Sequence, residues 1–215
     1  MTESTFQADS TILLRQAVEG HVPAQVQLFN QYEPRLRRLL VLRLDRRLQG
    51  RLDASDVLQE TYIEYARCIQ NYEQREQLPF YLWLRMVTLR KLIAMQRRFL
   101  GTAARDVNRE ISLNRGPLPM TSSCSLAASF VGHLTSPSQA AIRTELQLRI
   151  QDTLNDMDAM DREVLSLRHF EQLSNLEVAQ LLQLSPAASS NRYIRALKRL
   201  RPMLQEIIAS ERDCD

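Results

Sequence analysis

Residues 186–201, PAASSNRYIRALKRLR, hold the side chains best suited to chemistry: small residues and one amide, followed by five cations. The chemistry they suit is reading of nucleic acid. An α-helix fits the DNA major groove, and its first residues reach base edges. Here those residues are Ala187, Ala188, Ser189 and Asn191, with Arg192 and Arg195 behind them. Alanine suits a thymine methyl, while Asn and Arg read bases or hold phosphates. A helical hairpin with a solvated basic face is the alternative reading. Other chemistries lack their residues. There is no G-x-x-x-x-G-K-[ST] loop, no His/Cys/carboxylate cluster and no Ser-His-Asp set. No catalytic residue, metal site or cofactor is therefore expected.

The elements that position this stretch are legible nearby. Ser174 and Glu177 form an S-x-x-E capping box. Val178, Leu181 and Leu182 supply an apolar face, and Ala179 is small where two helices cross. After Gln183-Leu184, Ser185 caps a second helix with Pro186 at its first position, where a missing N–H costs nothing. Tyr193, Ile194, Leu197 and Leu200 are its candidate packing residues. The result is a helix-turn-helix. Gln183 stands where such turns often carry Gly, so a positive φ there costs about 1 kcal/mol.

Charge is arranged in blocks. Residues 35–51 carry seven Arg against one Asp, and 83–109 carry six Arg and one Lys against one Asp. Between the basic blocks, 52–76 and 144–163 each hold six acids and two Arg. Basic blocks attract phosphate, and acidic ones suit a protein partner. With five Gly, 6% aromatics and much Leu, Ala, Arg, Glu and Gln, the composition favours helix. Three distant cysteines without C-x-x-C spacing argue against a disulfide framework or zinc. The N-terminus lacks the pattern of a signal peptide, and no apolar run approaches the length of a membrane span. A cytoplasmic, all-α protein is expected.

Helices are expected over 11–19 and 23–48. Asp53 caps a third, with Asp56 at its third position. That helix buries Leu58, Tyr62, Tyr65 and Ile69, and places Asp56, Gln59, Glu60 and Ile63 on another face by i, i+3, i+4, i+7 spacing. Pro79 marks a break. The next helix, 80–99, sets Trp83, Arg90, Lys91, Arg97 and Arg98 roughly on one side and Leu82, Met86, Leu89 and Ile93 on the other. The Ser/Thr/Pro/Gly-rich stretch 112–138 reads as a flexible linker whose apolar residues could dock elsewhere. Helices resume over 139–157 and 161–170. Two small helical domains follow, 1–111 and 139–215.

These residues resemble the sigma-70 family, in its compact extracytoplasmic-function (ECF) class, over nearly the whole chain. Asp56-Val57-Leu58-Gln59-Glu60-Thr61 is similar to the D-L-V-Q-E-T/V of region 2, and Trp83-Leu84-Arg85 to the W-L-R of its promoter-reading helix. Met160–Leu165 and Leu173–Ala179 resemble region 4. The run from Arg97 to Leu113, with SPSQAA and NRYIRALKRL, resembles a planctomycete-type subgroup.

The resemblance implies roles. Asp56, Gln59, Glu60 and Ile63 would bind the clamp helices of the largest RNA polymerase subunit. A merely solvated helix face is the plainer reading of those residues. Tyr72 and Phe80, on the 70–80 loop, would meet the melted −10 element, flanked by Trp83, Arg90, Lys91, Arg97 and Arg98. Trp83 alone reads equally well as core. Residues 187–195 would read the −35 element. Leu165, Leu167, His169 and Phe170 would in part meet the flap of the second-largest subunit, with His169 itself an ordinary surface or cap histidine. Core RNA polymerase, promoter DNA and an anti-sigma factor are the implied partners. Arg90 and Ala94 stand where relatives often have Asn and Asp, and Ala-Ala-Ser-Ser replaces a commoner G-T-V-K/R, so promoter sequences do not carry over. The competing functions are a helix-turn-helix regulator acting without polymerase and a purely protein-binding helical adaptor.

Overall fold

The computed structural model describes residues 3–44, 48, 50–72, 78–100, 123–131 and 140–212. Every regular element among them is helical: α1 Glu3–Val18, α2 Val22–Arg43, α3 Ala54–Cys68, α4 Phe80–Leu100, α5 Ser123–Phe130, α6 Ala140–Asn155, α7 Ala159–Leu165, α8 Asn175–Leu182 and α9 Pro186–Arg212. The chain divides into two compact units. One comprises residues 1–40 and 44–116, the other 41–43 and 117–215.

In unit 1, α3 packs on α4. Asp53 caps α3 as its sequence position predicts: its carboxylate accepts from Asp56 N (2.9 Å), and Asp56 in return accepts from Asp53 N (2.9 Å). Both ends of the box are satisfied, which fixes where α3 begins. α2 stops at Arg43 and does not run on to 48 as the periodicity predicts. Gly50, at φ +84°, turns the chain there. Leu48 and Leu52 on either side of it are both buried, so the turn serves the core better than another helical turn would. The core is aromatic at its centre. Trp83 lies 5.3 Å from Tyr72, 5.7 Å from Phe80 and 6.3 Å from Tyr65, ring centre to ring centre.

Unit 2 is built on α5, α6, α7, α8 and α9. Part of the stretch read as linker is helical: α5 buries Leu126, Ala127 and Phe130, and Val131 after it, in a core shared with Ile150, Leu154 and Leu200. Four apolar side chains within six residues outweigh the Ser-rich composition around them. Arg162 ties the cluster together, donating to Ser123 Oγ (3.2 Å) and to Leu154 O (2.8 Å). The helix read over 161–170 begins earlier, at Ala159, because Asp158 caps it. It then widens into a π-turn over Ser166–Phe170, where Glu171 N donates to Ser166 O (3.1 Å).

A buried ion cluster lies in unit 2. Arg43 Nη2 contacts Glu163 Oε1 (2.6 Å) and Glu171 Oε1 (2.7 Å), all three side chains being sealed from water. Burial lowers the affinity of the guanidinium for its proton, but Glu171 and Glu163 outweigh that and raise it above its ordinary value.

Candidate nucleic-acid interface

The helix-turn-helix forms as its caps dictate. Ser174 Oγ accepts from Glu177 N (3.2 Å) and Glu177 Oε2 from Ser174 N (2.7 Å). Gln183 ends α8 in the left-handed region at φ 56°, ψ 42°, and Leu184 N reaches back to Ala179 O (2.8 Å). Gln183 thus takes the left-handed conformation that Gly commonly supplies at such a turn. Ser185 Oγ then accepts from Ala188 N (3.1 Å), and α9 starts at Pro186. Asn175 Nδ2 donates to Pro186 O (2.8 Å), pinning the start of one helix to the start of the other.

The two faces of α9 follow from spacing. Ser189, Ala196 and Leu200 are buried and Tyr193 half-buried, a stripe at i, i+4, i+7, i+11 that packs inward. Ser189, expected among the base-reading residues, is 0% exposed and therefore belongs to the packing stripe. Ile194, expected to pack, is instead 49% exposed. It shares the outer stripe with Ala187, Asn191, Arg195 and Lys198, all exposed, while Ala188 is half-buried at its edge. Such a stripe offers a groove small side chains first, then an amide, then cations.

Arg192 and Arg195 are held from behind by Asp161, from the acidic block 144–163 whose composition suits a protein partner. Arg195 grips Asp161 through Nε to Oδ2 (2.5 Å) and Nη2 to Oδ1 (2.7 Å). Arg192 Nη1 reaches both Asp161 Oδ1 (2.6 Å) and Asp158 Oδ1 (3.0 Å). Asp161 is buried. Burial pushes its carboxyl up, and the two guanidiniums, Arg195 first, pull it further down, so it stays below the usual carboxylate range. Asp161 in turn raises Arg195 above its ordinary value. The acidic block 144–163 thus turns Asp158, Asp161 and Glu163 towards arginines of its own unit.

In unit 1, Asp56, Gln59 and Glu60 are exposed on one face of α3, and Ile63 is 39% exposed beside them. The expected face therefore exists, although Asp56 also serves the cap. Glu60 and Glu64 pair with Lys91 of α4 at 3.7 and 3.1 Å. Two residues expected on separate surfaces, Glu60 and Lys91, thus meet. Arg97 and Arg98 are exposed, Arg90 half-buried. A cleft of about 380 Å³ runs between α3 and α4, with Glu64, Cys68, Asn71, Trp83, Arg90 and Lys91 on its walls.

The aromatic residues expected to meet unpaired bases do not stand free. Phe80 and Trp83 are buried, and Tyr72 packs edge-on against both while its hydroxyl donates to Leu78 O (2.9 Å). Their mutual attraction and loss of water contact place them in the core. Residues 73–77 of the same loop, and 101–113 of the run after α4, lie outside the described residues. Leu165 and Leu167, expected in part at a partner surface, are likewise buried. His169 stacks on Phe130 at 5.5 Å and meets Phe170 edge-on at 4.9 Å, and burial holds its pKa below the ordinary value. Among the described residues no helix is long and apolar enough to cross a membrane.

The family described as "Sigma-70, region 4" matches residues 147–200, which include α7, α8 and the first half of α9. The RNA polymerase sigma-H factor of Pseudomonas aeruginosa is 27% identical over 185 residues, spanning 78% of this chain and 88% of that protein. CnrH, solved in complex with the cytosolic domain of CnrY, shares the fold at a TM-score of 0.51 and 22% identity, over 91% of this chain and 96% of that one.

Proposed function

We propose that this chain is a sigma factor of the sigma-70 family whose two units divide the work of starting transcription, a reading supported by its matches to region 4 and to a sigma-H factor. A sigma factor binds core RNA polymerase and recognises promoter DNA; the family is not an enzyme class. Unit 1 acts as region 2 and unit 2 as region 4, in the compact manner of the ECF class. The outer stripe of α9 (Ala187, Asn191, Ile194 and Arg195) enters the major groove of the −35 element, with Arg192 beside it. The observation that carries this is the capped helix-turn-helix that leaves this stripe outward, within the segment matched to region 4.

The α3 face of Asp56, Gln59, Glu60 and Ile63 binds the clamp helices of the largest subunit. Carboxylates around an exposed isoleucine suit a basic, amphipathic helix. Arg97 and Arg98, with the Arg90 and Lys91 cleft, hold DNA strands at the −10 element. Phe80 and Trp83 brace Tyr72 from within. His169 and Phe170 are the side chains of the π-turn left for the flap of the second-largest subunit. An anti-sigma partner belongs to the same proposal, by likeness to CnrH, which was solved in complex with the cytosolic domain of CnrY. Each unit alone binds DNA weakly, and joint attachment to one polymerase raises the effective concentration of the second contact.

The test is a pair of variants. Glu60→Lys lowers affinity for core polymerase, whereas Arg195→Ala lowers promoter binding by the holoenzyme and leaves core affinity intact. Unchanged core affinity in the first, or unchanged promoter binding in the second, removes that surface from the proposal.

A further inference from the structure

The grip on the two α9 arginines has a use beyond stability. Arg192 and Arg195 lie one turn apart on one side of α9, and a single buried carboxylate stands between them. Long arginine side chains otherwise sample many rotamers, and ordering them on binding is costly. Here three charge-assisted bonds to Asp161 order them in advance. Asp158 adds a fourth, from Arg192, while capping α7 through Met160 N (3.0 Å) and Asp161 N (3.3 Å). The bonds engage the Nε–Nη2 edge of Arg195, yet its side chain remains 54% exposed. A guanidinium held this way still presents donors outward. The carboxylate also cancels part of the positive charge that would draw any phosphate backbone, whatever its sequence.

We infer that Asp161 is a positioning residue for promoter recognition: it aims Arg192 and Arg195 at the −35 element and weakens their attraction to DNA of other sequence. The inference rests on α9 being the −35 reader. Sequence-blind affinity comes from mobile cations meeting phosphates, and discrimination comes from donors fixed in register with base edges. Asp161 reduces the first and enforces the second. Asp158 contributes in the same sense through Arg192 alone.

The experiment compares reconstituted holoenzymes carrying the wild-type chain, Asp161→Asn, Asp158→Asn and Arg195→Ala. Each is titrated with promoter and non-promoter duplex across a range of salt. Asp161→Asn binds non-promoter duplex more tightly, and its plot of log affinity against log salt steepens by about 1. The promoter to non-promoter ratio falls roughly tenfold, the scale of one bidentate contact losing its register. Asp158→Asn keeps a cap-competent side chain and shifts both readouts the same way by less. If Asp161→Asn does not fold, Asp158→Asn decides by the same two readouts. Unchanged ratio and slope overturn the inference, as does a parallel loss of both affinities, which a purely structural ion pair would give. If Arg195→Ala leaves promoter binding untouched, the −35 reading itself fails. If Arg195→Ala weakens it while the aspartate variants keep the wild-type ratio, only the role of Asp161 fails.

Discussion

Trp83 is the one tryptophan in the chain, and replacing it separates a core role from a DNA-facing one. It is 2% exposed and has ring neighbours in Tyr65, Tyr72 and Phe80. Truncating a buried tryptophan to alanine costs about 3–5 kcal/mol through lost burial and the cavity left behind. A change on an open surface stays within about 0.5 kcal/mol. Against a total stability of about 5–15 kcal/mol the difference is decisive. Urea unfolding followed by far-UV circular dichroism, on Trp83→Ala and Trp83→Phe, reads it directly. Trp83→Ala moves the unit 1 transition to much lower urea, and Trp83→Phe, which keeps one ring, moves it less. The burial of Trp83 predicts that tryptophan emission of the unaltered chain will be blue-shifted and poorly quenched by acrylamide. Wild-type stability in Trp83→Ala, with a defect confined to promoter opening, would refute the placement of this ring in the core.

Three further outcomes follow from unit 2. Gln183→Gly raises its thermal midpoint, relieving up to about 1 kcal/mol of left-handed strain, and a lower midpoint counts against that. Glu171→Ala removes one of the carboxylates that hold the buried Arg43 and costs about 3–5 kcal/mol in denaturant unfolding, whereas a loss near zero would mean that water reaches the cluster. The depressed carboxyl of Asp161 adds stability that is fully present above the unfolded carboxylate pKa and is lost as pH falls through the lower folded value. Asp161→Asn therefore flattens the acid limb of unit 2 stability against pH, and an unchanged limb would show that the carboxylate gains nothing from its arginines.

What the sequence made legible is local. Ser174 with Glu177, Ser185 with Pro186, and Asp53 with Asp56 sit within a few residues of the groups they satisfy, so each helix start could be read from side-chain type and spacing. The outward face of Asp56, Gln59, Glu60 and Ile63 was legible for the same reason. Contacts made through the fold were not. Asp161 reaches Arg192 and Arg195 across 31 and 34 positions, and nothing in an acidic block says which carboxylate will turn inward. Ser189 and Ile194 exchange expected places because polarity alone does not fix helical phase, which the buried stripe through Ala196 and Leu200 sets. Phe80 looks available for stacking because its family role lies on a loop, and Trp83 reads equally well as core; their ring contacts with Tyr32, Tyr65 and Tyr72 cannot be seen one residue at a time. α5 is hidden by the serines around Leu126, Ala127 and Phe130.

On the proposed function, this chain confers promoter choice on a polymerase that lacks it. Run-off transcription with cognate core polymerase, across a genomic library with start sites mapped, tests it most directly. Adding the chain should produce starts at a defined set of sites sharing spaced upstream elements, and these should disappear with Arg192→Ala/Arg195→Ala. Transcripts no different from those of core polymerase alone would contradict the account.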